Sequence, residues 1–302
     1  MNIASGVYEL LMLYIIIFIG YVLRKKGIFT EGVIKGVNSM VFMAVWPAMI
    51  IMTTQKEYGQ AQLAGFLFTF VFALVFLAAA ALIVHWFARN RLAPERSSVF
   101  TLLVTMPNAG FVGYPIIEAV YGAEGVIYLS AFLMAFNMVL WTIGVIIFGG
   151  GKKNFFKDLM NPGFIASVVG LLLFIFRIQL PRPLLSAVQR MGNMVTPLSM
   201  LLLGARLDGL RREDIRCGLT WLAAGLKLLA VPLIAFVILK LMGVRGVLPG
   251  VIVLSLCMPS ASAAQIFSEK FQKDVALSTK GITLSMLVCF AVIPLFMFLA
   301  NL

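Results

Sequence analysis

The sequence predicts an all-α polytopic membrane protein. Ten transmembrane helices are expected, as two inverted five-helix repeats over residues 1–150 and 151–302, with the fourth and ninth helices broken and crossing near the bilayer midplane. Three observations carry this. The chain is 62% apolar and only 12% charged, with mean hydropathy +1.03, whereas soluble domains sit near 45–50% apolar and about 25% charged. Apolar runs of roughly the length that spans a bilayer recur along its length. A proline-containing motif also returns in the same order in both halves.

The runs, bounded by charge, Gly or Pro, cover about 7–23, 37–54, 63–87, 98–121, 125–148, 162–176, 191–206, 217–240, 247–269 and 275–299. The first closes on Arg24-Lys25-Lys26, and no Lys or Arg precedes it, the reverse of a cleavable signal peptide. The second contains Trp46-Pro47 and the seventh Thr196-Pro197, each shortly after an Asn, at Asn38 and Asn193. In the fourth, Met106-Pro107-Asn108-Ala109-Gly110 lines up with Met258-Pro259-Ser260-Ala261-Ser262 in the ninth, 152 residues later. Each half thus holds five runs, and its penultimate one carries Met-Pro before small residues. An odd number of spans per repeat inverts the second half, the plan of many secondary transporters. Helices are required because lipid leaves unpaired backbone groups unsatisfied.

Orientation follows from Lys and Arg, which concentrate in cytoplasmic loops. The connections after odd-numbered runs and their flanks hold 17 of them, those after even-numbered runs hold 6, and Lys227 lies inside the eighth run. Both termini are therefore expected outside an inner (plasma) membrane, with Lys152, Lys153 and Lys157 in a cytoplasmic midpoint loop.

Pro107, Gly113 and Pro115 in the fourth run, and Pro259 in the ninth, mark helix breaks. A proline lacks the N–H its helix needs and clashes with the preceding turn. A break exposes N–H groups on one side and carbonyls on the other, so Asn108, Ala109, Gly110, Ser260, Ala261 and Ser262 become candidate substrate contacts. Asn108 can both donate and accept hydrogen bonds. Lys227, an ionisable residue within a span, is a further candidate, with snorkelling of its stem to the surface as the competing reading. Glu118 and Glu269 are candidate coupling residues, although their distance from the prolines also fits headgroup level. Pro47, Pro197, Pro232 and Pro294 read as simple kinks.

No HExxH, GxSxG or P-loop occurs, and Cys217, Cys257 and Cys289 are isolated, with a single histidine in the chain. Enzyme chemistry and metal sites are not expected. The charge of +12 is spread over short loops, not gathered on a face that would bind nucleic acid. A membrane sensor would need a soluble output domain, for which there is no room.

Met106-Pro107-Asn108 with Gly113, Pro115 and Tyr121-Gly122 resembles the auxin efflux carrier family, whose bacterial members include malate and malonate permeases. Asn161-Pro162, Leu203-Gly204, Lys227 before Pro232, and Met258-Pro259 running through Phe267, Glu269 and Leu277-Ser278-Thr279 to Pro294 extend the resemblance along the chain. It implies a ten-helix carrier of small organic acid anions, related in architecture to bile acid sodium symporters, with Pro107, Asn108 and Pro259 at a crossover beside the substrate. The expected partners are an organic anion, the lipid bilayer and a second copy of the chain in a homodimer. No cofactor is expected, with proton or sodium coupling left open. Plant members have a long loop after the fifth helix; here it is about a dozen residues.

Overall fold

A computed structural model describes residues 3–55, 60–149, 160, 162–208 and 217–299; the expected midpoint loop at Lys152, Lys153 and Lys157 lies outside the described residues. Within them the chain is almost entirely helical, and an isolated antiparallel bridge between Pro107 and Ser260 stands where a sheet would otherwise begin. The helices are α1 (Ile3–Lys25), α2 (Glu31–Thr54), α3 (Gln60–Arg89), α4 (Pro94–Thr105), α5 (Tyr114–Val139), α6 (Pro162–Ile175), α7 (Arg182–Gly192), α8 (Val195–Leu207), α9 (Gly218–Leu241), α10 (Val247–Cys257), α11 (Ala263–Lys270) and α12 (Val275–Leu299).

By length and apolarity, four helices among the described residues can cross a membrane: Glu31–Thr54, Gln62–Arg89, Ile116–Ile147 and Gly218–Leu241. Val275–Cys289 and Ala291–Met297, bent by 52°, make a fifth if counted as one span. The bend falls about four residues before Pro294, where the ring meets the carbonyl of the preceding turn. The fourth and ninth runs are interrupted, leaving α4, α10 and α11 too short to span alone. Pro107 and Pro259 end α4 and α10, and the seventh run corresponds to α8, with Asn193 between it and α7. The sequence reading placed no helix over 182–192; Pro181 and Pro183 start one there and Leu184, Leu185 and Val188 give it an apolar side.

Prolines leave a second signature. π-helical turns at Val41–Val45, Ala109–Gly113 and Leu226–Ala230 run directly into Trp46-Pro47, Tyr114-Pro115 and Val231-Pro232. A ring without an N–H leaves a carbonyl free and crowds the turn before it, and an inserted residue relieves the clash. Pro47 and Pro232 therefore widen their helices where a plain kink was expected. Gly122, at φ 62°, kinks the stretch Tyr114–Val139 between the fourth and fifth runs, in a region of φ/ψ space nearly closed to other residues.

The helices pack in two groups. In one, α1 lies along α8, and α2 against α6 and α7; in the other, α3 packs on α4 and α5, α5 on α10, and α9 on α10 and α12. The α1–α8 seam is close because Gly20 faces the Leu201 backbone and Gly204 the Ile17 carbonyl, where a Cβ would overlap backbone. Small residues that let backbones touch are the usual means of helix association in lipid. The groups meet where α1, α2 and α6 touch α5 and where α8 touches the π turn Ala109–Gly113.

Candidate functional site

The chain leaves the helical conformation over Met106–Asn108 and again over Met258–Ser262, and the two breaks lie side by side. Asn108 N–H donates to the Pro259 carbonyl at 2.7 Å, and Ala261 N–H to the Met106 carbonyl at 2.9 Å. Backbone groups that two helices lost are thus returned by each other, as a buried break requires. Pro107 cannot supply the N–H that would reach the Leu103 carbonyl, four residues back; the Ser260 hydroxyl donates to that oxygen instead, at 2.6 Å. Ser260 N–H in turn donates to Ser285 Oγ on α12, at 3.0 Å. The interrupted stretch of the first half is short, because Ala109–Gly113 forms a π turn and Pro115 opens α5; Gly113 lies under the Met258 side chain, 3.1 Å from where its Cβ would stand.

The sequence candidates separate by exposure. Ala109, Gly110, Ser260 and Ala261 are buried, whereas Asn108 and Ser262 are half-exposed. The Asn108 side chain caps no helix and makes no hydrogen bond among the described residues. The Ser260 hydroxyl is committed to Leu103. Lys227 is turned inward, with none of its surface exposed, and its Nζ donates to the Leu256 carbonyl at 2.8 Å; the snorkelling reading does not describe it. Glu269 is exposed and accepts from Gln265 Nε2 at 2.9 Å.

Glu118 is exposed and lies near the start of the membrane-length helix Ile116–Ile147, one turn before the break at Gly122. With Tyr114, which donates a hydrogen bond to it, it lines a cavity of about 380 Å³ closed on the other sides by Met12 and Ile16 of α1, Met49 of α2, and Asn193, Thr196 and Pro197 at the start of α8. The cavity thus sits between the two helix groups. Met49 also reaches Gly110, its Cε 3.6 Å from the position a Cβ would take, so the cavity adjoins the turn that follows Asn108. One turn back along α2, Trp46 and Phe42 begin an aromatic chain. Phe42 meets Trp141 at 5.6 Å between centroids, Trp141 meets Phe267 of α11 at 5.0 Å, and Phe267 meets Phe148 at 5.6 Å and Phe271 at 5.7 Å. Edge-to-face and tilted contacts at these distances are favourable, and this chain ties α2 to the other group.

Sequence reasoning passed over Tyr114, Asn193 and Thr196 as site residues. For Asn193 and Thr196 the signal was the loose repeat of Asn before a proline at Asn38–Pro47 and Asn193–Pro197, which marked symmetry but not a cavity wall; Tyr114 stood beside Pro115 with no signal of its own.

A family model described as membrane transport protein matches residues 5–155 and 151–297. An uncharacterized transporter of Methanocaldococcus jannaschii is 25% identical over 294 residues, covering 92% of this chain and 94% of that protein. An uncharacterized transporter of Methanothermobacter thermautotrophicus is 24% identical over 291 residues, covering 94% and 95%. With both halves matched and relatives aligned almost end to end, the chain belongs to the membrane transport protein family, that of the auxin efflux carriers.

Proposed function

We propose that this multi-pass membrane transporter is a secondary carrier of small organic acid anions working by alternating access. In this reading the chain is two inverted five-helix halves, 1–150 and 151–302, in the plasma (inner) membrane with both termini outside. The observation that carries it is the pair of breaks joined at Pro107 and Ser260, beside which Asn108 keeps its amide uncommitted. Ser262 is the second polar group offered there, and Ala109, Gly110 and Ala261 let backbone come close to the cargo. Two helical stretches start at the breaks, and their N–H ends carry partial positive charge that favours a carboxylate. The crossover motifs, Thr101–Ile117 and Val251–Ser268, contain no acidic side chain to repel one. Lys227 adds positive potential from behind the break.

The cavity lined by Tyr114, Glu118 and Asn193 supplies an approach from one side, and the Phe42–Trp141–Phe267 chain closes the other. On the expected orientation the open side faces outward. Movement of one helix group past the other would exchange the two, with the joined breaks as the moving floor. Glu118 on the cavity wall is the residue that a proton-coupled second reading would use.

Uptake of a labelled panel of mono- and dicarboxylates into proteoliposomes, with pH and sodium gradients imposed separately, tests the proposal. Saturable carboxylate uptake that Asn108→Ala weakens is expected. A carrier that moved amines and ignored carboxylates would refute it.

A further inference from the structure

Lys227 is buried in α9 on the π turn Leu226–Ala230, and its ammonium lies against the Leu256 carbonyl in the last turn of α10. In an unbroken helix that carbonyl would accept from Ser260 N–H, four residues on. The break takes that donor away and gives it to Ser285 Oγ. Pro232 accounts for the placement of Lys227. It has no N–H for the Leu228 carbonyl, the helix widens into a π turn before it, and the freed Leu228 carbonyl faces Cys257 Sγ at 4.0 Å. Two helices with lost hydrogen bonds thus face each other, and a lysine crosses between them.

No ion pair joins Lys227 to a carboxylate among the described residues. Its partner is the negative end of a half-helix, whose carbonyls stabilise a cation in the last turn. In carriers with broken helices, such unwound carbonyls and half-helix ends are the groups that collect a sodium ion or a proton. The first half has no equivalent: α3 carries no lysine, and its ionisable residues, His85 and Arg89, lie in its last turns.

We propose that Lys227 is a resident cation for the carbonyl end of α10, a positioning residue that holds the second break in register without a bound metal cation. How this break is held is independent of the nature of the cargo. It predicts that the wild-type break is indifferent to sodium, and that removing the ammonium opens a vacancy of defined shape. Lys227→Ala deletes three methylenes and the amine, which n-propylammonium reproduces atom for atom.

The test is the apparent melting temperature of the purified full chain in detergent. The wild type should melt alike in sodium and choline chloride. Lys227→Ala should melt lower by about 5 °C or more, as expected for an orphaned buried carbonyl plus a void, and n-propylammonium should restore at least half of the loss where n-propanol does not. Lys227→Met, which fills the space without charge, should also melt lower and gain nothing from the amine. Lys227→Met melting with the wild type, a propanol effect equal to that of the amine, or saturable sodium-specific stabilisation of the wild type would each overturn the proposal. The last two variants of the measurement, on Lys227→Met and on the wild type, keep it open to refutation even if Lys227→Ala does not fold.

Discussion

Ser260→Ala should destabilise the protein through one oxygen. The Ser260 hydroxyl is the donor that the Leu103 carbonyl receives, at 2.6 Å, in place of the N–H that Pro107 lacks. Ser260 is 1% exposed, so water does not replace the lost donor without rearrangement. An unsatisfied buried acceptor costs about 1–3 kcal/mol, and chains of 150–250 residues lose roughly 2–4 °C per kcal/mol, so a fall of about 2–12 °C in apparent melting temperature is expected. The mechanism makes a sharper demand. In a Pro107→Ala background an N–H becomes available to the same carbonyl once α4 extends by a turn, so Ser260→Ala should cost less there, with a coupling of about 0.5–2 kcal/mol. Four purified proteins melted by intrinsic fluorescence in one detergent give the cycle. A Ser260→Ala variant that melts within about 1 °C of the wild type, or an equal loss in both backgrounds, would refute the account of the break as a repaired hydrogen-bond ladder.

Asn108→Ala should leave the melting temperature within about 1 °C of the wild type, because no hydrogen bond among the described residues is lost, yet weaken apparent carboxylate affinity by about tenfold or more, the worth of one hydrogen bond to a charged ligand; a fluorescence melt checks the first and proteoliposome uptake, normalised to reconstituted yield, the second. Gly204→Val should be poorly tolerated, since its Cβ would overlap the Ile17 carbonyl, with a loss of about 1–3 kcal/mol or more read as reduced melting temperature and yield. Cys217 is half-exposed while Cys257 and Cys289 are buried, so a maleimide should label it selectively, in inverted vesicles but not in intact cells on the expected topology. Hydrogen bonds led by the Thr220 backbone hold its thiol below the ordinary range, so the pH at which labelling reaches half its maximal rate should fall below that of a free cysteine, because the thiolate is the reacting form.

Membership in a transporter family was legible in composition and in short motifs, because lipid demands long apolar helices and breaks in them need proline. Met106-Pro107 and Met258-Pro259, read at matching offsets, located both interruptions. Composition is a poor guide to span count from helix length, however, since the same prolines cut spans into pieces such as Pro94–Thr105 and Val247–Cys257. The helix over Arg182–Gly192 was hidden because its basic residues and flanking prolines look like a loop while its apolar side shows only at helical spacing.

Local chemistry along the chain determined where hydrogen-bond ladders fail: a missing N–H is a property of one residue and needs no neighbour. Which groups make good that loss is a property of elements 29 to 157 residues apart, as with Lys227 and Leu256 or Leu103 and Ser260. The tertiary structure alone decided that Ser260 is spent on Leu103 while Asn108 stays uncommitted, that Lys227 turns inward, and that Glu118 meets Asn193 across a cavity. Linear spacing specifies a residue's depth along its own helix, but only packing specifies the direction in which it faces and what lies opposite.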